Sequence, residues 1–123
     1  MLCDVSQADA PRVHVETAEQ WRSWLVEHHL SERCVWAVTW RRPTGRPFPT
    51  YDELVEEALC VGWVDSTAKK LDEERSMLYF ARRRPKSAWA DSNKARVLRL
   101  EAAGRMLPAG QAEVDRARAD GRW

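Results

Sequence analysis

The sequence predicts an α+β domain in which a small antiparallel sheet of three to four strands packs against about four helices. Three observations support this. Two capping boxes predict helix starts, a tryptophan-rich alternating segment predicts a strand, and two alternating segments around a polar turn predict a hairpin over about residues 63–83. The chain has 123 residues, the length of one domain. We therefore expect a single domain over residues 1–123, with residues 1–11 as a loose N-terminal leader.

The first helix is predicted to start at Thr17, which forms a capping box with Gln20 and leads a helix to about Leu30. A second capping box joins Thr50 and Glu53 after a proline-rich loop. We expect the apolar stripe of each helix to be buried, and the later glutamates of the second helix to face water.

The clearest strand is residues 34–40, where alternation places Trp36, Val38 and Trp40 on one face. Such a face can pack in the core or stack on a planar ligand. Core packing is the commoner use, so we expect the first helix to cover this face.

The hairpin begins directly after the second helix and brings its two outer ends together. One end carries Trp63 and Asp65, and the other carries Arg82 and Arg83. In this position Asp65 would orient an arginine or act as a base.

Ser87 is predicted to cap a third helix that runs to about Ala103, and Pro108 is predicted to begin a fourth. Asn93 shares a face of the third helix with Trp89. A polar amide on such a face needs hydrogen-bonding partners.

Cations beside a predicted helix N-terminus are suited to hold an anion. In this hypothesis Arg82 and Arg83 bind the anion, and Ser87 and the N-terminus of its helix donate N–H groups. Trp63 and Trp89 form the walls of the site. The candidate ligand-binding residues are Trp63, Asp65, Arg82, Arg83, Ser87, Trp89 and Asn93. The alternative that these arginines pair with acidic side chains in a structural network stays open.

Other chemistry receives little support. The chain lacks phosphate-loop, dinucleotide, zinc-protease and serine-hydrolase motifs, so we assign no catalytic residue, metal or cofactor, and enzymatic activity stays open. A net charge of +1 does not favour nucleic acid as a partner, although the basic segment 82–105 keeps it as a second alternative. Three widely spaced cysteines, no signal sequence and no long apolar segment predict reduced thiols and a cytoplasmic protein without membrane insertion.

Several motifs in order carry a family resemblance. They are Ala-Leu-Cys-Val-Gly-Trp-Val-Asp-Ser at 58–66, Ala-Arg-Arg at 81–83, Lys-Ser-Ala-Trp at 86–89 with Asn93, Gly-Arg-Met at 104–106 and Gly-Arg-Trp at 121–123. Over about residues 17–123 the chain resembles the YdeI/OmpD-associated family, also labelled bacteriocin-protection proteins. Its recurrent polar positions match every candidate residue except Trp63. Similar proteins commonly continue with more helix, so the resemblance implies a short or C-terminally truncated member.

The resemblance implies a bacterial protein linked to bacteriocin or antimicrobial-peptide resistance, and it brings no established mechanism. The leading hypothesis is a cytoplasmic protein that holds a small anionic ligand. The alternative is a protein-interaction module in a stress or resistance pathway, with no small-molecule site. A concave pocket bordered by Asp65, Arg83 and Trp89 would favour the first, and a flat, exposed tryptophan patch the second.

Overall fold

The computed structural model describes residues 6–123 and confirms the α+β fold. The strands are β1 (Arg12–His14), β2 (Cys34–Trp40), β3 (Trp63–Lys70) and β4 (Arg75–Arg82). The helices are α1 (Ala18–His28), α2 (Tyr51–Cys60), α3 (Asp91–Ala102) and α4 (Pro108–Ala119). Residues 1–5 of the predicted leader lie outside the described residues, and Gln7–Asp9 form a single 3₁₀ turn.

The four strands form one sheet in the order β1-β2-β4-β3. β4 pairs antiparallel with β2 and with β3, as predicted, but β1 runs parallel to β2, so the sheet is mixed. The parallel pair follows from α1, which lies between β1 and β2 in the chain and serves as the crossover connection. In the hairpin, Trp63 lies opposite Arg82 and Asp65 lies opposite Phe80.

The first two helices begin where predicted, but only α2 has the complete capping box, because the Gln20 side chain of α1 accepts from the N–H of Glu16 rather than from that of Thr17. The backbone N–H of Gln20 donates to the Thr17 side chain at 3.1 Å. In α2, the N–H of Glu53 donates to the Thr50 hydroxyl at 3.1 Å and the Glu53 carboxylate accepts from the N–H of Thr50 at 2.8 Å. Both starts are therefore fixed by local hydrogen bonds that the sequence alone reveals.

The start of α3 differs from the prediction. The helix begins at Asp91 rather than after Ser87, and Ala90 at its N-cap position provides no side-chain cap. The Ser87 hydroxyl instead accepts a hydrogen bond from Arg83 at 3.0 Å. A hydrogen bond from a residue only four positions earlier thus uses the hydroxyl that was expected to cap the helix.

Two apolar cores lie on either side of α2. The first lies between the sheet, α1 and α2, and includes Trp21, Phe80 and Ala58. The second joins α2, α3 and α4, and includes Leu59 and Val114. Because α2 contributes to both, it fixes α3 and α4 relative to the sheet.

The tryptophan face of β2 lies on the side of the sheet opposite the one predicted. Val35 and Ala37 face α1 and α2, whereas Trp36 packs with Tyr79 on the other side. There the Trp36 indole N–H donates to the carbonyl of Gln7 at 2.6 Å. The N-terminal segment, rather than the first helix, therefore contacts this face.

Two further findings concern Cys60 and the character of the helices. Cys60 is free and buried, as expected of a reduced thiol. Within residues 6–123, none of the helices has the length and apolar character needed to cross a membrane.

Candidate functional site

Arg83 is a buried cation at the point where the hairpin ends. Only 6% of its surface is exposed, and its backbone N–H donates to the carbonyl of Gly62 at 2.9 Å. Its Nη1 donates to the Ser87 hydroxyl at 3.0 Å and to the Ala88 carbonyl at 3.1 Å. Its guanidinium carbon lies 3.7 Å from the centre of the Trp89 ring. The guanidinium is thus held in one orientation by hydrogen bonds and by stacking.

The electrostatic environment of Arg83 is unusual, because a buried arginine is normally paired with a carboxylate. Within residues 6–123 no carboxylate lies at ion-pair distance from it. Burial lowers the pKa of Arg83 to about 10, and the more distant carboxylate of Glu113 only partly offsets this. A pKa of about 10 keeps the side chain charged at neutral pH, so the fold holds a poorly solvated cation here.

Three buried donor groups around this position lack an acceptor in the part of the chain that the structure describes. They are Nε of Arg83, the indole N–H of Trp89 and Nη2 of Arg122. Two of these side chains bind Ser87. Its hydroxyl accepts from Arg83, and its backbone carbonyl accepts from Nη1 of Arg122 at 3.1 Å. A buried donor without a partner costs about 1–3 kcal/mol, so an added acceptor in this region would be stabilising.

A cleft of about 280 Å³ opens beside Arg83, between the hairpin end, the end of α1 and α4. This Arg83 cleft is lined by His29, Leu30, Val61, Gly62, Trp63, Arg82, Arg83, Ala109, Ala112, Glu113 and Arg116. Its lining contains three guanidiniums and one carboxylate. Oε2 of that carboxylate, which belongs to Glu113, is paired with Nη2 of Arg116 at 2.5 Å, while its buried Oε1 has no hydrogen-bond partner in the described part of the chain. The lining therefore favours an anion.

Arg82 also has a structural task at the rim of the Arg83 cleft. Its Nη2 donates to the carbonyls of His29 and Leu30, at 3.0 and 2.7 Å. Carbonyls at a helix C-terminus lack intrahelical partners, and a guanidinium can satisfy them. Arg82 thereby joins the end of α1 to the hairpin.

The structure brings five of the seven predicted residues together. Trp63, Arg82 and Arg83 line the cleft, and Ser87 and Trp89 contact Arg83. Trp63 is 1% exposed and packs mainly in the first core, so it forms the inner end of the wall. The helix N-terminus predicted to donate N–H groups beside Ser87 is absent, because α3 starts later.

The other two predicted residues do not line the Arg83 cleft. The Asp65 carboxylate accepts a hydrogen bond from the Tyr51 hydroxyl at 2.7 Å, which also raises the pKa of Tyr51. The amide oxygen of Asn93 accepts from Nη1 of Arg96 at 3.1 Å. Each residue therefore has a partner elsewhere in the fold.

Sequence reasoning missed the contribution of α4 to the cleft. Glu113 and Arg116 form an i, i+3 pair, which the sequence displays, but nothing local indicates that this helix docks beside the hairpin. The close approach occurs at Gly62, where an added Cβ would lie 3.1 Å from Cγ of Glu113.

The basic residues of α3 and the following loop are largely paired with the acidic helix α2. The pairs are Arg96 with Asp52 at 2.6 Å, Arg99 with Glu56 at 3.6 Å, and Arg105 with both Glu56 and Glu57. This pairing reduces the positive charge that the segment 82–105 would offer to a nucleic acid.

The geometry defines a class: a small α+β domain with an arginine-lined cleft where a hairpin meets two helix ends. The chain belongs to the family described as Domain of unknown function (DUF8412), whose match covers residues 13–113. That range includes the hairpin, Arg83 and the first half of α4. No curated protein and no solved structure matches this chain.

Proposed function

We propose that this protein binds a small anionic ligand in the Arg83 cleft. The observation that carries the proposal is a buried guanidinium without a carboxylate at ion-pair distance in the described part of the chain, beside a cleft with two further guanidiniums. A buried charge is costly unless it is paired, so a bound anion would supply the missing partner.

The size of the cleft limits the ligand. At about 280 Å³ it lies just below the usual range of small-molecule sites, roughly 300–1,000 Å³. Phosphate, sulfate or a short carboxylate fits this space. The flat fork of an arginine matches the oxygen atoms of each of these anions, which supports the choice of ligand class.

The alternative hypothesis, a protein-interaction module without a small-molecule site, predicts a flat, exposed tryptophan patch. All seven tryptophans lie within the described residues, and none belongs to the exposed class. This supports small-molecule binding over that form of protein interaction.

The resemblance to the YdeI/OmpD-associated family adds a biological context to the proposal. Through it we propose a bacterial protein with a role in bacteriocin or antimicrobial-peptide resistance. The cytoplasmic location stays a prediction.

Replacing Arg83 with methionine tests the proposed site. Methionine keeps much of the apolar volume and removes the buried charge, so we expect the free energy of unfolding to change by no more than about 2 kcal/mol. Thermal shift and calorimetric titration would use phosphate, sulfate and oxalate at constant ionic strength. A ligand at a hundredfold excess over Kd should stabilise the wild-type protein by about 2.7 kcal/mol, and the R83M variant should lose this response.

The matched control is Arg99→Gln. Arg99 is exposed and makes only a long ion pair of 3.6 Å with Glu56, so R99Q removes the same charge without touching the cleft. It should bind the anion as the wild-type protein does. Failure of all three anions to bind the wild-type protein would refute the proposal, as would equal binding by R83M.

Glu113→Gln should change the anion affinity of the same site in the opposite direction to R83M. It removes the one carboxylate that lines the cleft among residues 6–123, so anion affinity should rise by about tenfold, equivalent to 1.4 kcal/mol. Calorimetric titration of E113Q with the anion that binds the wild-type protein measures this change. A lower affinity in E113Q would mean that the carboxylate itself contacts the ligand.

A further inference from the structure

A second and larger cleft lies at the far end of the sheet, beside loop 41–50. Its volume is about 530 Å³, within the range of small-molecule sites, and it shares no lining residue with the Arg83 cleft. Its walls include Phe48, Tyr51, Leu54 and Leu78. We call it the aromatic cleft.

The inner surface of the aromatic cleft is apolar and offers two hydroxyl groups. Leu54 and Leu78 belong to the first core and close its floor. Thr39 and Ser76 lie opposite each other on β2 and β4, and both line the cleft. Neither side chain has a hydrogen-bond partner within residues 6–123, so both hydroxyls are available to a ligand.

The charged side chains that line the aromatic cleft have one sign. Arg41 and Arg42 line it together with Lys69, whose ammonium lies 5.1 Å from the centre of the Trp36 ring on the other side of the sheet, and the described lining contains no aspartate or glutamate. The guanidinium carbon of Arg42 lies 5.4 Å from the centre of the Phe48 ring, and Arg42 makes no ion pair in the described part of the chain. A cation is thus placed beside an aromatic wall, which complements a ligand that is both flat and anionic.

Hydrogen bonds within the protein fix the walls of the aromatic cleft without a ligand. The Thr44 hydroxyl donates to the Arg41 carbonyl at 2.8 Å, which stabilises the turn of the loop. The Tyr51 hydroxyl is fixed by its bond to Asp65 at 2.7 Å. The hairpin register shifts between Asp65 and Ala68, and such irregularities commonly border binding sites.

From this arrangement we infer that the aromatic cleft binds an aromatic carboxylate of one or two rings. Its rings would lie between the Phe48 and Tyr51 walls over the leucine floor. Its carboxylate would pair with Arg42 and accept from the hydroxyls of Thr39 and Ser76. This site is separate from the proposed small-anion site and would take a ligand too large for the Arg83 cleft.

The probe for this inference is 2-naphthoate, compared with cyclohexanecarboxylate and with 2-naphthylmethylammonium. Titrations followed by two-dimensional amide NMR should show saturable shifts for 2-naphthoate at Thr39, Phe48 and Ser76. The non-aromatic acid should bind about tenfold more weakly, and so should the cation, because each lacks one of the two complementary features.

Two variants locate the binding. Ala68→Phe fills the cleft from an exposed position, and Arg42→Gln removes an exposed cation, so neither disturbs the core. Both should lose naphthoate binding, whereas R83M should keep it. The inference is overturned if 2-naphthoate does not bind, if A68F and R42Q bind it as the wild-type protein does, or if the shifts map to the Arg83 cleft.

Discussion

Replacing Gly110 with alanine is expected to lower the free energy of unfolding by about 3 kcal/mol. An added Cβ would lie 2.2 Å from the carbonyl oxygen of Cys60 and 2.7 Å from that of Leu59. These are backbone atoms at the end of α2, which cannot move aside as a side chain would. Within a helix the same change normally stabilises a protein by about 1 kcal/mol, so the expected sign is opposite to that of helix propensity.

The close contact at Gly110 also positions the Arg83 cleft. The backbone N–H of Leu107 donates to the Cys60 carbonyl at 3.0 Å, so α4 begins directly against the end of α2. Moving α4 outwards would carry Glu113 and Arg116 away from Arg83. We therefore expect G110A to bind small anions more weakly as well as to unfold more readily.

Urea denaturation of G110A beside Gly45→Ala measures the effect. Gly45 has φ +71° and nothing within 4 Å of an added Cβ, so G45A should cost only about 1 kcal/mol of backbone strain. If G110A proved as stable as the wild-type protein, α4 could not lie as close to α2 as the structure places it.

Features determined by neighbouring residues could be predicted from the sequence. The N-caps at Thr17 and Thr50, the strand at 34–40 and the hairpin each depend on residues a few positions apart, and the structure has them where they were expected. The hairpin also brought Arg82, Arg83 and Trp63 to one place, because antiparallel pairing joins the ends of its strands.

Features determined by contacts between distant elements could not be predicted. Alternation in β2 separates Trp36 from Val35, but both residues are apolar, so the pattern does not show which face meets α1. Ser87 is an exception to this rule, because the residue that binds its hydroxyl, Arg83, lies only four positions earlier. The contribution of α4 to the cleft depends on packing that no local pattern encodes.

Glu57 is the clearest case of such a distant contact. It was expected to face water on α2, but that expectation is wrong, since its side chain is 7% exposed. Its Oε1 accepts from Nη1 of Arg22 at 2.8 Å, and its Oε2 accepts from Nη2 of Arg105. Arg22 also donates to the Arg105 carbonyl at 3.4 Å, and the Glu57 carboxylate raises the pKa of Arg22. One carboxylate thus ties α1, α2 and the loop after α3 together.

We therefore expect the removal of this carboxylate to destabilise the protein strongly. Glu57→Ala leaves two partly buried guanidiniums facing each other without their shared partner, and we expect a loss of about 3–5 kcal/mol in the free energy of unfolding.

Glu73→Ala is the control, because Glu73 is 90% exposed and its ion pair with Lys70 contributes less than about 1 kcal/mol. Urea denaturation of both variants measures the difference. The double variant with Arg22→Met should recover part of the loss in E57A, because it removes the guanidinium left without a carboxylate, whereas Arg105 keeps its ion pair with Glu56 at 3.7 Å. Equal stability of E57A and E73A would show that Glu57 is solvated, as the sequence pattern alone suggested.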